Sequence, residues 1–582
     1  MFIFPSLRRT HGDFIDEFGQ SRILYYWDQS DTQNLAPPRT RGDESWEYHY
    51  GQEYTKDDFT YALRNFDHTW DRETNSYIPI DNPYYPIKAS ARDTDGHGTH
   101  VAGTAAGNGR GSGFVGVAPE AHIIAVKYSF CGSRNYDIFL LEAVQYIIQR
   151  AKELNMPVVI NLSLGNGLGP HDGTTLTERT LNSFAGPGII LVASAGNAGV
   201  MHWFKDLPHG FAKHGSGVLS QDDILIRIPD YSTILPGIQN ACDGTYGYYV
   251  WFDIWYSGKD SCTVQITSPN KYVYSHTLWS TDGGTATIST EYSTEIRVTN
   301  ARSSVNGDNE IYIELEEPSI GLWKIELIGL SVPDGGKYNA WYVISDSIAK
   351  AYENEPHPRS PTPTFGGREP DNIMTVYSPA TADNVISVGA YASRLEWNYY
   401  DIESNGTSSV PMNYLNAPLN AKYTDFLLGN LAFFSSRGPR RDYVAKPDIT
   451  GPGVGIVSSY SHFRRYVDWN TRFFPDGKSR LSSKKVLPDL ESCVLEGTSQ
   501  SAANIAGGIA LLLEVNPSLN DENLRWIFNH SAIRDYSTLV FESTTSSEGE
   551  ENLVDSEMMT GIMNDDWGYG KFDVASALAL LV

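Results

Sequence analysis

Short apolar runs alternate with helix-spaced apolar stripes between about Asp93 and Ala198, the pattern of a parallel sheet whose crossovers are helices. Ala121–Val126, Val158–Ser163 and Gly188–Ala193 read as buried strands, being nearly continuous in apolar and β-branched residues. Between the first two, Ile138, Leu141, Val144, Ile147, Ile148, Ala151 and Leu154 recur at helical spacing and so share one face.

From about Trp203 to Ile344 the period falls to two. Ile224, Ile226 and Ile228 alternate with their neighbours, as do Val264 and Ile266, and Glu310–Leu315 alternates again. Tyr, Trp, Thr and Val dominate, and Asp282-Gly283-Gly284 and Asp334-Gly335-Gly336 supply turns, so this stretch predicts an antiparallel β domain. A Pro-rich link, His357–Pro363, precedes a return to α/β texture with the strand-like run Asn384–Ala390. The expected fold class is α/β: residues 1–202 and 351–582 form one domain, a parallel sheet covered by helices, and residues 203–350 are an inserted antiparallel β-sandwich.

Composition narrows the function. With 44 Lys and Arg against 70 Asp and Glu the formal charge is −26, which repels phosphate backbones and anionic lipid, so neither nucleic acid nor membrane is an expected partner. Ile505–Leu513 is too short to cross a bilayer, and Met1–Pro5 breaks before a signal-type apolar region develops, so neither a transmembrane helix nor a signal peptide is expected. Cys131, Cys242, Cys262 and Cys493 fit no zinc spacing; Cys242 and Cys262 are near enough in sequence to bond, although lone buried thiols are common. The acidic, Ser/Thr-rich run Ser543–Glu551 reads as a solvated loop. The many aromatics of the β region fit a sandwich core better than a sugar-binding surface.

Three segments carry candidate chemistry. In Asp95-Gly96-His97-Gly98-Thr99-His100, glycines flank His97 and let backbone and substrate approach the imidazole. In Gly497-Thr498-Ser499-Gln500-Ser501-Ala502-Ala503, a tight turn delivers the Ser499 hydroxyl to the N-terminus of a small-residue helix, where developing negative charge is favoured. In Ser194-Ala195-Gly196-Asn197, a carboxamide follows a buried strand and is a candidate oxyanion donor. Each has a bland alternative: a helix-start histidine, a capping serine, a left-handed turn asparagine.

Taken together and in this order, the three resemble the subtilisin-like serine peptidases, the subtilase family. Asn161-Leu162-Ser163-Leu164-Gly165 resembles the family's edge strand, which implies that Ser163, Leu164 and Gly165 pair with a substrate backbone. Phe433–Pro439 and Lys446–Gly453 resemble the connection ahead of the nucleophile, and Asp521–Arg525 and Trp567–Gly570 its closing helix and last turn. The place of the insert, with Ser21–Gln29 and Tyr48–Thr55, resembles the bacterial germination-protease type of subtilase and implies a jelly-roll-like insert. Ala503 stands where many subtilases have Pro, a change without chemical weight.

One part departs from the family pattern. A subtilase needs an Asp at the end of its first central strand to hold the histidine tautomer and stabilise the imidazolium. Counting back without gaps from His11-Gly12-Asp13-Phe14 puts Phe4 in that place. Asp28, Asp93 and Asp95 are substitutes, with Asp95 better suited to capping the helix that starts near His97. Otherwise the chain is a fragment or one piece of a split protein, and a separate N-terminal segment supplies the carboxylate.

Two functions are therefore expected to compete. One is a serine endopeptidase acting on a protein or peptide substrate, with His97 as base, Ser499 as nucleophile and Asn197 in the oxyanion hole. The other is a pseudoprotease that holds a protein partner without cutting it. No cofactor is expected; the resemblance allows a structural calcium, but no loop has a ligand spacing that assigns a metal.

Overall fold

The computed structural model describes residues 2–4, 11–30, 48–65, 70–71, 76–77, 93, 95–128, 136–199, 213–230, 249–276, 284–289, 294–344, 363–398, 411–413, 428–461, 487, 489, 491–535 and 563–582. Among them, eight strands form the central sheet: β1 (Phe2–Phe4), β2 (Ile23–Asp28), β3 (Gln52–Thr55), β4 (Ile123–Lys127), β5 (Val158–Leu162), β6 (Ile189–Ser194), β7 (Val385–Ala392) and β8 (Ile449–Val454). Their order is β8-β7-β6-β5-β1-β4-β2-β3, and every neighbouring pair is parallel except β2 with β3. The strands read from apolar runs are present, the first shifted to end at Lys127.

The helices are α1 (Lys56–Asn65), α2 (His97–Ala106), α3 (Tyr136–Glu153), α4 (Leu176–Phe184), α5 (Thr498–Val515), α6 (Asp521–Ser531) and α7 (Val574–Ala579). They divide between the two faces of the sheet as the strand alternation requires. Ile124, Val126, Ile160 and Leu162 pack with Val144, Ile147 and Ile148 of α3 and Leu181 of α4. On the opposite face, Ile123 and Ala125 pack with Val101, Ala102 and Ala105 of α2, and Val159, Ile190 and Val192 with Ile505, Ile509 and Leu512 of α5. Burying each such aliphatic side chain contributes about 1.5–3 kcal/mol.

α2 and α5 share the second face and touch through small residues. Ala503 lies in one cluster with Val101, Ala102 and Ala105. A Cβ on Gly507 would stand 2.9 Å from the Ala105 carbonyl oxygen and 2.7 Å from Val117 Cβ. Asp448, just ahead of β8, is buried between Lys446 and Arg525, at 2.7 and 2.8 Å. Burial raises its pKa, but the two cations outweigh burial and hold the carboxyl down to about 2. Arg525 belongs to α6, so this ion group ties β8 to the helix that closes the fold.

The β region forms two antiparallel sheets. One has the order 284–289, 295–302, 309–316, 249–256, 337–344, 213–218; the other 273–276, 261–267, 321–331, 224–228, 364–365. Alternate residues such as Ile226, Phe252, Ile254, Val264, Ile313 and Trp323 meet in one core between them, which is the reason for the two-residue period. The boundaries expected at 202/203 and 350/351 fall outside the described residues, as do most of the Pro-rich link, the Asp282-Gly283 turn and the acidic run 543–551. Cys262 and Cys493 are buried and in no disulfide, and burial pushes Cys262 up to about 11; Cys131 and Cys242 are not among the described residues. No helix among the described residues is long and apolar enough to cross a membrane.

The outer face of the six-stranded sheet docks on the α/β domain. Trp255, Trp341 and Val343 cluster with Ala198, Met374 and Tyr377, and Trp341 stacks on His171 with ring centroids 4.1 Å apart. Arg441 links Asp172 to Asp308 of the β domain, each at 2.7 Å. The buried Asp253 carboxylate accepts the Gly169 N–H at 2.6 Å. Burial first, then the Glu310 charge, raises the Asp253 pKa.

Two outcomes follow from these contacts. Gly507→Val forces α2 from α5 and is expected to cost about 1–3 kcal/mol, read as a lower urea midpoint at unchanged slope. Because the folded pKa of Asp253 lies above its unfolded value of about 3.9, its contribution is complete below that pH and is lost as pH rises through the folded value. Asp253→Asn should therefore flatten the decline of thermal midpoint with rising pH; an unchanged pH profile would assign that decline elsewhere.

Candidate functional site

The site is built at the C-terminal edge of the central sheet, where helices α2 and α5 begin. Their first turns are capped by side chains, Asp93 and Asp95 at α2 and Asn197 at α5. Asn197 follows β6 directly, and Ser163 follows β5. The fold thus gathers segments far apart along the chain through strand order alone.

His97 is the first residue of α2. Its N–H donates to Asp95 Oδ2 at 3.1 Å. The larger part of the cap is Asp93, fully buried, whose Oδ1 accepts from the N–H groups of Gly96 and Asp95 at 2.7 and 3.2 Å. Asp93 Oδ2 accepts the Thr99 N–H at 3.1 Å and the Thr99 hydroxyl. Gly96, at φ 85°, makes the left-handed turn into the helix that a side chain would strain.

Ser499 lies in the first turn of α5. The Ser163 hydroxyl donates to the Ser499 carbonyl at 2.8 Å, and Asn161 Nδ2 donates to that hydroxyl at 2.8 Å, so β5 pins the backbone of the turn. Ser499 Oγ is 3.4 Å from the Ser163 carbonyl. Asn197 Oδ1 accepts both the Thr498 N–H and the Thr498 hydroxyl at 3.0 Å. With its oxygen so committed, the Asn197 amide presents Nδ2 as its remaining polar end. A Cβ on Gly497 would stand 3.6 Å from Asn197 Nδ2 and 3.7 Å from the Ser499 nitrogen, so both nitrogens lie beside that residue. Gly497, at φ 149°, adopts a backbone that other residues rarely take.

Gly507 packs against Ala105, and Ala503 clusters with Val101, Ala102 and Ala105, so α2, which starts at His97, and α5, whose first turn holds Ser499, lie against each other. The run expected as one edge strand, Asn161–Gly165, is divided in the structure. Asn161 and Leu162 end β5, an interior strand with β1 on one side and β6 on the other, so they have no open edge. Ser163, Leu164 and Gly165 lie past the strand's end, and the chain is next held at Asn166, whose N–H donates to the Ser378 carbonyl at 2.8 Å.

Phe4 is the last residue of β1 and stands opposite Lys127 in register. Of the substitute carboxylates, Asp93 and Asp95 are engaged in the α2 cap as described. Asp28 ends β2, also opposite Lys127 but on the far side of β4, and its Oδ1 accepts from the Ser30 N–H at 3.0 Å and the Ser30 hydroxyl at 2.5 Å. Among the described residues no group of three or more His, Cys, Asp or Glu side chains is arranged to hold a metal ion.

Two features escaped the sequence reading. Asp93 with Thr99 forms the true cap of α2, signalled by Asp and Thr bracketing the glycine-flanked histidine. Gln500, beside Ser499, is buried in a helix turn whose other buried residues are the small Thr498, Ser501, Ala502 and Ala503, and a long amide in that company is the signal.

Comparison with known proteins bears on the family and the fold. The family model described as "Subtilase family" matches residues 43–220 and 366–569, leaving out the interval that holds most of the antiparallel strands. The chain is 32% identical over 201 residues to a subtilisin of Bacillus sp. (strain TA39), covering 34% of this chain and 44% of that protein. It is 23% identical over 505 residues to the minor extracellular protease Vpr of Bacillus subtilis (strain 168), covering 85% of this chain and 50% of that one. It therefore spans about half the length of these curated relatives. Among solved structures, the Clostridium perfringens CspB protease superposes with a TM-score of 0.62 at 21% identity, covering 100% of this chain and 92% of that chain, so the two share a fold. With both halves of the family model matched on either side of a β insert, and a subtilisin-like sheet carrying the site, this chain belongs to the subtilase family.

Proposed function

We propose that the protein is a serine endopeptidase that cleaves protein or peptide substrates through an acyl-enzyme. His97 takes the proton from Ser499 Oγ as that oxygen attacks the peptide carbonyl, and returns it to the leaving amine as the C–N bond breaks. Water then repeats the sequence on the acyl group, releasing the second product and restoring Ser499. Asn197 Nδ2 and the Ser499 N–H receive the oxyanion, at the positive end of α5. Ser163, Leu164 and Gly165 run along the substrate and pair with its backbone.

The observation that carries this reading is the closeness of Asn197 Nδ2 and the Ser499 nitrogen to one place beside Gly497, from segments about 300 residues apart in sequence. The carboxylate that would orient His97 is not at the end of β1, where Phe4 stands, and loss of that carboxylate typically lowers kcat about 10⁴-fold while leaving oxyanion stabilisation in place. The proposed active form gains the carboxylate from a separate N-terminal segment.

The test uses a fluorophosphonate, which phosphorylates an activated serine. Slow labelling is expected at Ser499, lost in Ser499→Ala and sharply slowed in His97→Ala. Phe4→Asp should raise the labelling rate and peptide hydrolysis by up to about 10⁴-fold. If neither the natural chain nor Phe4→Asp labels while both remain folded by circular dichroism, the protein is a pseudoprotease that binds its partner in the groove.

A further inference from the structure

Gln500 follows the nucleophile, is 1% exposed, and yet neither Nε2 nor Oε1 has a hydrogen-bond partner among the described residues. Buried carboxamides are nearly always paired, because leaving one unpaired forfeits its hydration without return. Its backbone is ordinary: the N–H donates to the Gly497 carbonyl at 3.2 Å, and its carbonyl accepts from Asn504 Nδ2 at 3.1 Å. The anomaly is confined to the side-chain end. That end faces the oxyanion donors, since a Cβ on Gly497 would meet Gln500 Oε1 at 2.9 Å, Asn197 Nδ2 at 3.6 Å and the Ser499 nitrogen at 3.7 Å.

We propose that Gln500 is a third oxyanion donor, a catalytic residue whose carboxamide stays unpaired in the resting site so that it can bond the tetrahedral intermediate. This rests on the acyl-enzyme reading above. A half-turn about the last side-chain torsion exchanges Oε1 for Nε2, and with neither atom engaged the turn breaks no hydrogen bond. As the serine oxygen adds to the carbonyl, the π electrons pass to the carbonyl oxygen, and the charge in the pocket draws the N–H end toward it. No proton is transferred by Gln500. The bond is made to the tetrahedral state and not to the planar substrate, so it acts on kcat more than on KM.

Left as it stands in the structure, with Oε1 toward Gly497, the group would place an acceptor against the oxyanion and slow the reaction, so the turn is required. Gln500→Glu tests this directly, since a carboxylate offers acceptors at both ends. Gln500→Met keeps the length of the side chain, removes both polar atoms and suits a buried position, so folding is preserved.

The experiment measures fluorophosphonate labelling rates of Ser499, whose adduct carries a phosphoryl oxygen in the same pocket, and peptide hydrolysis in the Phe4→Asp background. Gln500→Met is expected to lower the labelling rate and kcat about 10- to 100-fold, at or below the usual loss for one oxyanion donor, with KM unchanged. Gln500→Glu should be slower still. Binding of a peptide boronate, which forms a tetrahedral adduct, should weaken in step with kcat. Labelling of the natural chain at an unchanged rate in Gln500→Met overturns the Gln500 assignment alone. No labelling in any folded form overturns the acyl-enzyme reading and this assignment with it.

Discussion

The closeness of helices α2 and α5 is the constraint on which the site depends. Each helix is fixed to the sheet by its own aliphatic residues, and the helix carrying His97 meets the one carrying Ser499 along a seam of small residues. Ala503 against Val101 and Ala105, and Gly507 against the Ala105 carbonyl, set both the separation and the axial register. A larger residue at either place would slide or spread the helices, and a shift near 1 Å is enough to cost a catalytic alignment on the order of 10²-fold. Close packing is here a statement about position before it is one about stability.

Position also has to be held at the helix ends, where backbone groups lack partners. At α2 the buried Asp93 carboxylate takes three backbone N–H groups and a hydroxyl, which fixes the first turn and with it His97. At α5 the work is done by neighbours from other strands: Asn197 takes the Thr498 N–H, and Ser163 bonds the Ser499 carbonyl. The β insert adds a third support from outside, because Asp253 and the Trp341–His171 stack hold the loop that continues from Ser163-Leu164-Gly165. An element with a core of its own thereby borders the segment proposed to contact substrate.

Much of this was legible in the chain before folding was considered. Near-continuous Val and Ile runs mark β4, β5 and β6, and a two-residue period marks the sandwich, because burial on both faces or on one leaves different alternations. Glycines flanking His97 and preceding Ser499 mark backbone that must turn sharply, and Gly96 and Gly497 both have positive φ. What could not be read was what depends on three dimensions. The interior position of Asn161 follows from β1 inserting between β4 and β5, a topological fact no local pattern encodes. The Asp93 cap looked like one of several carboxylates near a histidine, and only its burial and its four donors separate it from the rest.

The same geometry decides which carboxylate could serve His97. Phe4 and Asp28 stand level, each opposite Lys127, but β4 lies between their strands, so two strand spacings of about 4.8 Å separate the backbones. Asp28 is also turned to its own neighbour, Ser30. Withdrawing Asp93 from the α2 cap would orphan buried N–H groups at the very turn that carries His97. Among the described residues, then, the contacts that hold Asn197 and the Ser499 turn come from Thr498, Ser163 and Asn161, and those that hold the first turn of α2 come from Asp93. Because these are different contacts, the proposed chemistry divides between them: a change in how the His97 ring is oriented leaves the bonds of Asn197 and the Ser499 backbone as they are.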